Sequence, residues 1–295
     1  SRFKILPVLL CAIWVCLQVG NLFAQKVKVV EPPKPIFKGN DGKLNYTADE
    51  KGNRVPDFSY AGYMAGEQAI PDAVVKVVVP LKAGDATLSI QKALDYVASL
   101  PLGKDGLRGA VLLEKGRYEV GGTLKINASG VVLRGSGKGE GGTVIYATGL
   151  DRLGVLRILG RNDQVKEKSV TITNKYVPVN AIKITVANGA AFKKGDQVIV
   201  QRSSTKEWID AIGTDHFGGG ITSLGWKPGQ RDVYWDRKIL AVNGNELILD
   251  APLTTALDAA FGESSVSKYS WKGRISHSGA ENMRIVSSFD KSNPK

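Results

Sequence analysis

Between residues 110 and 147 short apolar runs recur: Val111-Leu112-Leu113, Tyr118 to Val120, Leu124-Lys125-Ile126, Val131-Val132-Leu133 and Val144-Ile145-Tyr146. Each is rich in β-branched or aromatic residues and is bounded by Gly or Asn, so each reads as a strand closed by a turn. None is long enough for a helix. Leu112 and Val132 stand in similar settings, one before Glu114-Lys115-Gly116 and the other before Arg134-Gly135. A period of about twenty residues built from several short strands is what one rung of a parallel β-solenoid requires, because each coil buries its inward side chains only on its neighbours. A sandwich of tight hairpins is the alternative that strand spacing alone leaves open.

The rest of the chain narrows the class. Its 295 residues allow one large or two modest domains, and 40 Lys and Arg against 28 Asp and Glu give a net charge of +12. Such a balance suits an acidic partner such as a polyuronate, nucleic acid or anionic lipid, or else is a solvated surface. No basic run suggests a nucleic-acid tail, and no nucleic-acid partner is expected. Residues 1–24 read as a signal peptide: Arg2 and Lys4 precede an apolar stretch from Ile5 to Leu17, and Ala24 marks the cleavage point. The protein is therefore expected to be secreted or periplasmic. Pro7, Gln18 and Asn21 make the stretch a poor membrane anchor, so no span is expected after signal removal. Cys11 and Cys16 lie inside this segment. The remainder then has no disulfide, thiolate metal site or cysteine nucleophile.

In chain order, residues 25–72 form an extended arm, Pro-rich at first and ending in three aromatics among small residues. Residues 73–176 hold a helix and the first coils. Asp85 or Thr87 caps the helix, Ile90, Ala93, Leu94 and Val97 share one face, and Pro101 stops it. Such a helix suits the open apolar end of a solenoid. The glycines from Gly137 to Gly142 have a G-x-G-x-x-G spacing, but Thr143 to Tyr146 is another strand where a dinucleotide site needs a helix. Residues 177–256 read as an inserted antiparallel β-module with a hairpin turn at Asn243-Gly244. Residues 257–295 return to coil-like sequence, at Gly273-Arg274-Ile275 and at Asn282 to Val286. Further coils and a second cap are expected beyond Lys295.

Gly84-Asp85, the helix, Gly109 to Gly116 and GVVLRGSGKGEGGTVIYATG together resemble the amino-terminal region of pectate-lyase-superfamily proteins of bacterial carbohydrate-degrading systems. The resemblance covers roughly residues 55–160 and 270–290. It implies an all-β fold, a right-handed parallel β-helix, and binding or cleavage of acidic polysaccharides. These are scaffold motifs, so they speak more for fold than for activity.

Chemistry is best sought in residues 202–238, read as a long ordered loop. Trp208, Trp226 and Trp235 gather there with Tyr234, Phe217 and His216. Aromatic faces stack on sugar rings, and Arg202, Arg231 and Arg237 can pair with a uronate carboxylate. Trp208, Trp226, Tyr234, Trp235 and Arg237 are the candidate substrate-binding residues. The competing reading is that these aromatics seal the module onto the coils. The candidate catalytic residues are His216, His277 and Arg231. Asp210, Asp215, Asp232 and Asp236 offer oxygens to Ca²⁺ without the spacing of a dedicated site, so calcium is a possible cofactor only. Elimination from a uronate needs a base near C5 and a cation on the carboxylate; hydrolysis needs two carboxyl groups about 5–9 Å apart. A lyase on an acidic glycan is the leading expectation. A non-catalytic carbohydrate-binding or surface protein and a glycoside hydrolase are the alternatives.

Overall fold

The structure, a computed structural model, describes residues 34–150, 153–214 and 224–292. The expected signal segment, residues 1–24, lies outside the described residues. The chain divides into two compact units between Val55 and Pro56. The described portion of the first is a hairpin of β1 (Ile36–Lys38) and β2 (Leu44–Tyr46), paired antiparallel.

The second unit is mostly β. After 3₁₀ turns at Phe58–Tyr60 and Tyr63–Gly66 come β3 (Val75–Val79) and helix α1 (Thr87–Ser99). Two passes of the chain follow, each of three short strands: β4 (Gly109–Leu113), β5 (Gly116–Val120) and β6 (Leu124–Ile126), then β7 (Val131–Arg134), β8 (Thr143–Ala147) and β9 (Leu156–Ile158). Every strand pairs in parallel with its counterpart on the next pass. Gly109 lies beside Val131, Gly116 beside Thr143 and Leu124 beside Leu156, so the longer turns of the second pass are taken up progressively. Leu112 therefore neighbours Arg134 rather than Val132.

Alternation along these strands places Val111, Leu113, Tyr118, Val120, Leu124, Ile126, Val131, Leu133 and Ile145 in one core. Ile90, Ala93, Leu94 and Val97 of α1 belong to the same core, so the helix covers apolar ends that a short stack leaves bare. The Asp85 carboxylate accepts the Thr87 N–H at 2.9 Å, and the Thr87 hydroxyl in turn accepts from Gly121 and Gly122, at 3.2 Å each. This links the helix start to the turn after β5. Buried Tyr118 donates its hydroxyl to the Val79 carbonyl at 2.8 Å, which removes the penalty of burying it. Gly137, at φ +123, opens the glycine loop that leads into β8; no helix follows it.

The antiparallel region takes in residues 164–271, on both sides of the expected 177–256. Its strands are β10 (Gln164–Lys166), β11 (Val170–Thr171), β12 (Tyr176–Val177), β13 (Lys183–Thr185), β14 (Gln197–Arg202), β15 (Val233–Asn243), β16 (Glu246–Leu249), β17 (Leu257–Asp258) and β18 (Ser264–Trp271). The main sheet runs β10-β18-β14-β15-β16-β13, with β11 beside β18, and β12 pairs with β17 apart from it. The hairpin turn falls at Gly244, φ +60, after Asn243. A second core holds Val198, Val200, Trp235, Ile239, Leu247, Leu249 and Val266.

Parallel pairing then returns with β19 (Gly279–Glu281) on β7 and β20 (Arg284–Ser287) on β8. It returns at Gly279 and not at Gly273, because the chain turns out of β18 at residues 272–273, where the Arg274 N–H donates to the Trp271 carbonyl. Gly135 sits where the third pass crosses closest: a β-carbon there would stand 2.5 Å from the Asn282 carbonyl oxygen. Among the described residues no helix is long and apolar enough to cross a membrane.

Candidate functional site

The region expected to be one long loop contains a short helix, α2 (Lys206–Ala211), and the first half of β15. The Thr205 hydroxyl caps α2 by accepting from Trp208 N–H at 3.3 Å. The Trp208 and Trp226 rings stack with centroids 6.1 Å apart and planes 11° from parallel. Arg202 lies over Trp208 at 4.5 Å and Arg231 over Trp226 at 4.8 Å. Each indole thus already has a guanidinium over it and the other ring alongside. Such a run of rings and cations is self-contained, and it offers a sugar little free aromatic face.

Other candidates are scattered. Alternation along β15 sends Val233, Trp235, Arg237 and Ile239 to one face and Tyr234, Asp236 and Lys238 to the other. Trp235 is 5% exposed in the second core, and its indole N–H donates to Thr254 Oγ1 at 2.9 Å. Arg237 directs its guanidinium to backbone carbonyls of Ala251, Asp236 and Pro252, stitching β15 to the segment after β16. Both side chains thus have their hydrogen-bond partners within the protein. His277, in the left-handed region at φ +56, lines an apolar cavity of about 250 Å³ with Ile70, Leu107 and Val132, away from the aromatic residues above. Its Nδ1 is 3.2 Å from the Ser276 hydroxyl, and Glu281 in the same cavity is held by Arg134 at 2.5 Å. His216, Asp215 and Phe217 lie outside the described residues.

Tyr234 and Asp236 face outward, on the side of the sheet opposite the second core. The Asp232 carboxylate gathers the Ser204 N–H and hydroxyl, each at 2.8 Å, the Gln201 amide at 2.8 Å and the Tyr234 hydroxyl at 3.3 Å. Burial opposes its charge, but these donors outweigh burial and hold its carboxyl below the usual carboxylate range.

Next to it on the same face is an open cleft of about 560 Å³ whose wall includes Gln197, Lys238, Asp250, Tyr269, Trp271 and Arg274. The Tyr269 hydroxyl donates to Asp236 Oδ1 at 2.7 Å, accepts from Arg274 Nη1 at 2.7 Å and lies 3.1 Å from Gln197 Oε1. Arg274 also pairs with the Asp236 carboxylate. Burial, and then the bond to Asp236, push the Tyr269 phenol up to about 12 against the pull of Arg274. At neutral pH it is therefore a proton donor and not a base. Trp271 is fixed by its indole N–H to the Arg161 carbonyl at 2.6 Å, with the Arg274 guanidinium 5.4 Å from its ring. Among the described residues, the Nε and Nη2 groups of Arg274 and the ammonium of Lys238 have no hydrogen-bond partner.

Tyr269, Trp271 and Arg274 were not singled out from sequence. The available signal was the alternation Ser265, Ser267, Tyr269, Trp271, which marks a polar and aromatic strand face. Among the described residues no three His, Cys, Asp or Glu side chains gather as a metal site.

No family model matches the sequence, and no curated protein matches it. Solved structures similar to it include three phage tailspikes. One is the tailspike of Acinetobacter baumannii bacteriophage AP22, in complex with A. baumannii capsular saccharide (11% identity over 70% of this chain and 27% of that one, TM-score 0.38). Another is the Pseudomonas phage phi297 tailspike (17% identity, 68% and 29%, TM-score 0.34). The third is that of Pseudomonas phage LKA1 (18%, 62% and 24%, TM-score 0.31). The chain thus spans between 24% and 29% of the length of these structures.

Proposed function

We propose that this chain is an exported polysaccharide-binding protein that holds an acidic glycan in the Tyr269–Trp271–Arg274 cleft. On this reading its parallel passes are the opening turns of a right-handed β-helix of the pectate-lyase type. One observation carries the functional reading: a guanidinium with unused donors, oriented by Asp236 and Tyr269, stands beside a fixed indole in an open cleft. The indole suits the apolar face of a sugar ring, and the planar N–H edge suits a carboxylate on the same ring. The basic balance of the chain and the export-like segment at residues 1–24 agree with it.

The test is titration calorimetry against polygalacturonate, alginate, hyaluronan and neutral dextran. The expected result is binding of at least one acidic polymer, weakened by salt and lost in Arg274→Ala. Binding to none, or to dextran equally, overturns it.

Cleavage by β-elimination is a second reading, favoured by the Tyr269 phenol. In that step a base takes the C5 proton, the C4–C5 double bond forms and the C4–O bond breaks. Tyr269 gives its proton to the leaving oxygen while Arg274 neutralises the carboxylate. Unsaturated chain ends, detected by their ultraviolet absorbance and missing in Tyr269→Phe, would support it. Tight binding with no such ends leaves a binding protein.

A further inference from the structure

Resting on that reading, we infer that a second cation, Lys166, reads another acidic group of the glycan, so the site takes an oligomer and not a single sugar. Lys166 is the direct register partner of Tyr269 in the β10–β18 pair, which puts both side chains on one face. Tyr269 meets Gln197 of β14, and Gln197 is the register partner of Lys238 in the β14–β15 pair. Lys166, Tyr269, Gln197 and Lys238 therefore form one row across four strands, about 14 Å from end to end at the usual strand spacing. Lys166 and Lys238 stem from the two outer strands of the row, and Arg274 is attached to its middle through Tyr269.

No carboxylate pairs with Lys166 or Lys238 among the described residues. The Lys166 ammonium instead rests over the Tyr234 ring at 4.3 Å. To do so it reaches over β18 and β14, where Ser267 and Ile199 lie buried on that same outward face. A cation resting on an exposed ring is easily drawn to an anion, since the contact is weak in water. Beside it Ser265 and the Gln197 amide offer hydrogen bonds to hydroxyls. Two cations on one face, Arg274 at Tyr269 and the Lys166 ammonium over Tyr234, match a linear chain carrying acidic groups at intervals, whereas one sugar ring covers only the Arg274 part.

The experiment compares the monosaccharide acid, a short oligomer and the polymer of whichever acidic glycan the protein retains, with wild type, Lys166→Gln and Arg274→Ala. The expected result is that Lys166→Gln weakens oligomer and polymer by about fivefold and leaves the monosaccharide unchanged, while Arg274→Ala weakens all three. Tyr234→Phe, which keeps the ring, should bind as wild type. Equal affinity of wild type for monosaccharide and polymer, or no effect of Lys166→Gln on the polymer, overturns the inference while leaving Arg274-dependent binding intact. Loss of all acidic-glycan binding by wild type removes the underlying reading as well. Circular dichroism of Lys166→Gln, expected to match wild type, separates binding from folding.

Discussion

The parallel passes and the antiparallel region use the same short strands to opposite ends. In the passes the alternation sends apolar side chains to a shared core, and the prominent polar groups hold neighbours together: Asp85 and Thr87 on the turn after β5, Arg134 on Asp72 and Glu281. The antiparallel sheet makes a core with one face, and its other face carries Tyr234, Asp236, Lys238, Tyr269 and Trp271 around donors with no internal partner. A stack of passes commits its polar groups to stacking. A sheet with one face outside the core keeps some of them free, and the proposed recognition rests on that difference.

The sharpest ways to break this contrast act on the cores. Leu133→Ala in the passes and Trp235→Ala in the antiparallel region should each cost about 3–5 kcal/mol, read by denaturant unfolding. Both side chains are buried. A mild effect of Trp235→Ala would return that indole to the ligand-facing residues. Next in size, Arg274→Ala should weaken acidic-glycan binding by about 2 kcal/mol in titration calorimetry, with unfolding little changed.

Two pH experiments give smaller effects. Asp232 has a depressed folded-state pKa, so its contribution is present above the unfolded carboxylate value and is lost as pH falls through the folded one. Asp232→Asn should lower stability at neutral pH and flatten its loss on acidification. Tyr269 is the reverse case: a raised pKa adds stability that is present below the unfolded phenol value of about 10 and is lost as pH rises toward about 12. Ultraviolet titration should show one phenol ionising near the top of that window, moving down in Asp236→Asn. The smallest effect is expected from Trp226→Ala, whose ring is already engaged by Trp208 and Arg231: glycan binding should be unchanged.

What was legible in the sequence was local. The face of Ile90, Ala93, Leu94 and Val97 and the strand after Gly142 each depend on residues within one or two turns of one another, and the structure has both; the hairpin expected to turn at Asn243-Gly244 is also there, shifted one residue to Gly244-Asn245, since Asn243 still pairs with Glu246. The cleft was not legible, because Gln197, Asp236, Tyr269 and Arg274 come from three strands and a turn that meet only through sheet order β18-β14-β15. Arg274 was read as the start of a coil because Gly273-Arg274-Ile275 has the look of one. Trp235 illustrates a signal passed over. With the strand begun at Ile239, the alternation Val233, Trp235, Arg237, Ile239 that marks it as inward was cut off.

Hydrogen exchange with and without a bound acidic oligosaccharide tests most directly whether recognition belongs to the sheet face outside the core. The account predicts protection within residues 164–166, 197–201, 234–238 and 267–274, with residues 109–158 unchanged. Protection confined to the strands of the parallel passes, or to residues 206–211 and 224–231, would contradict it.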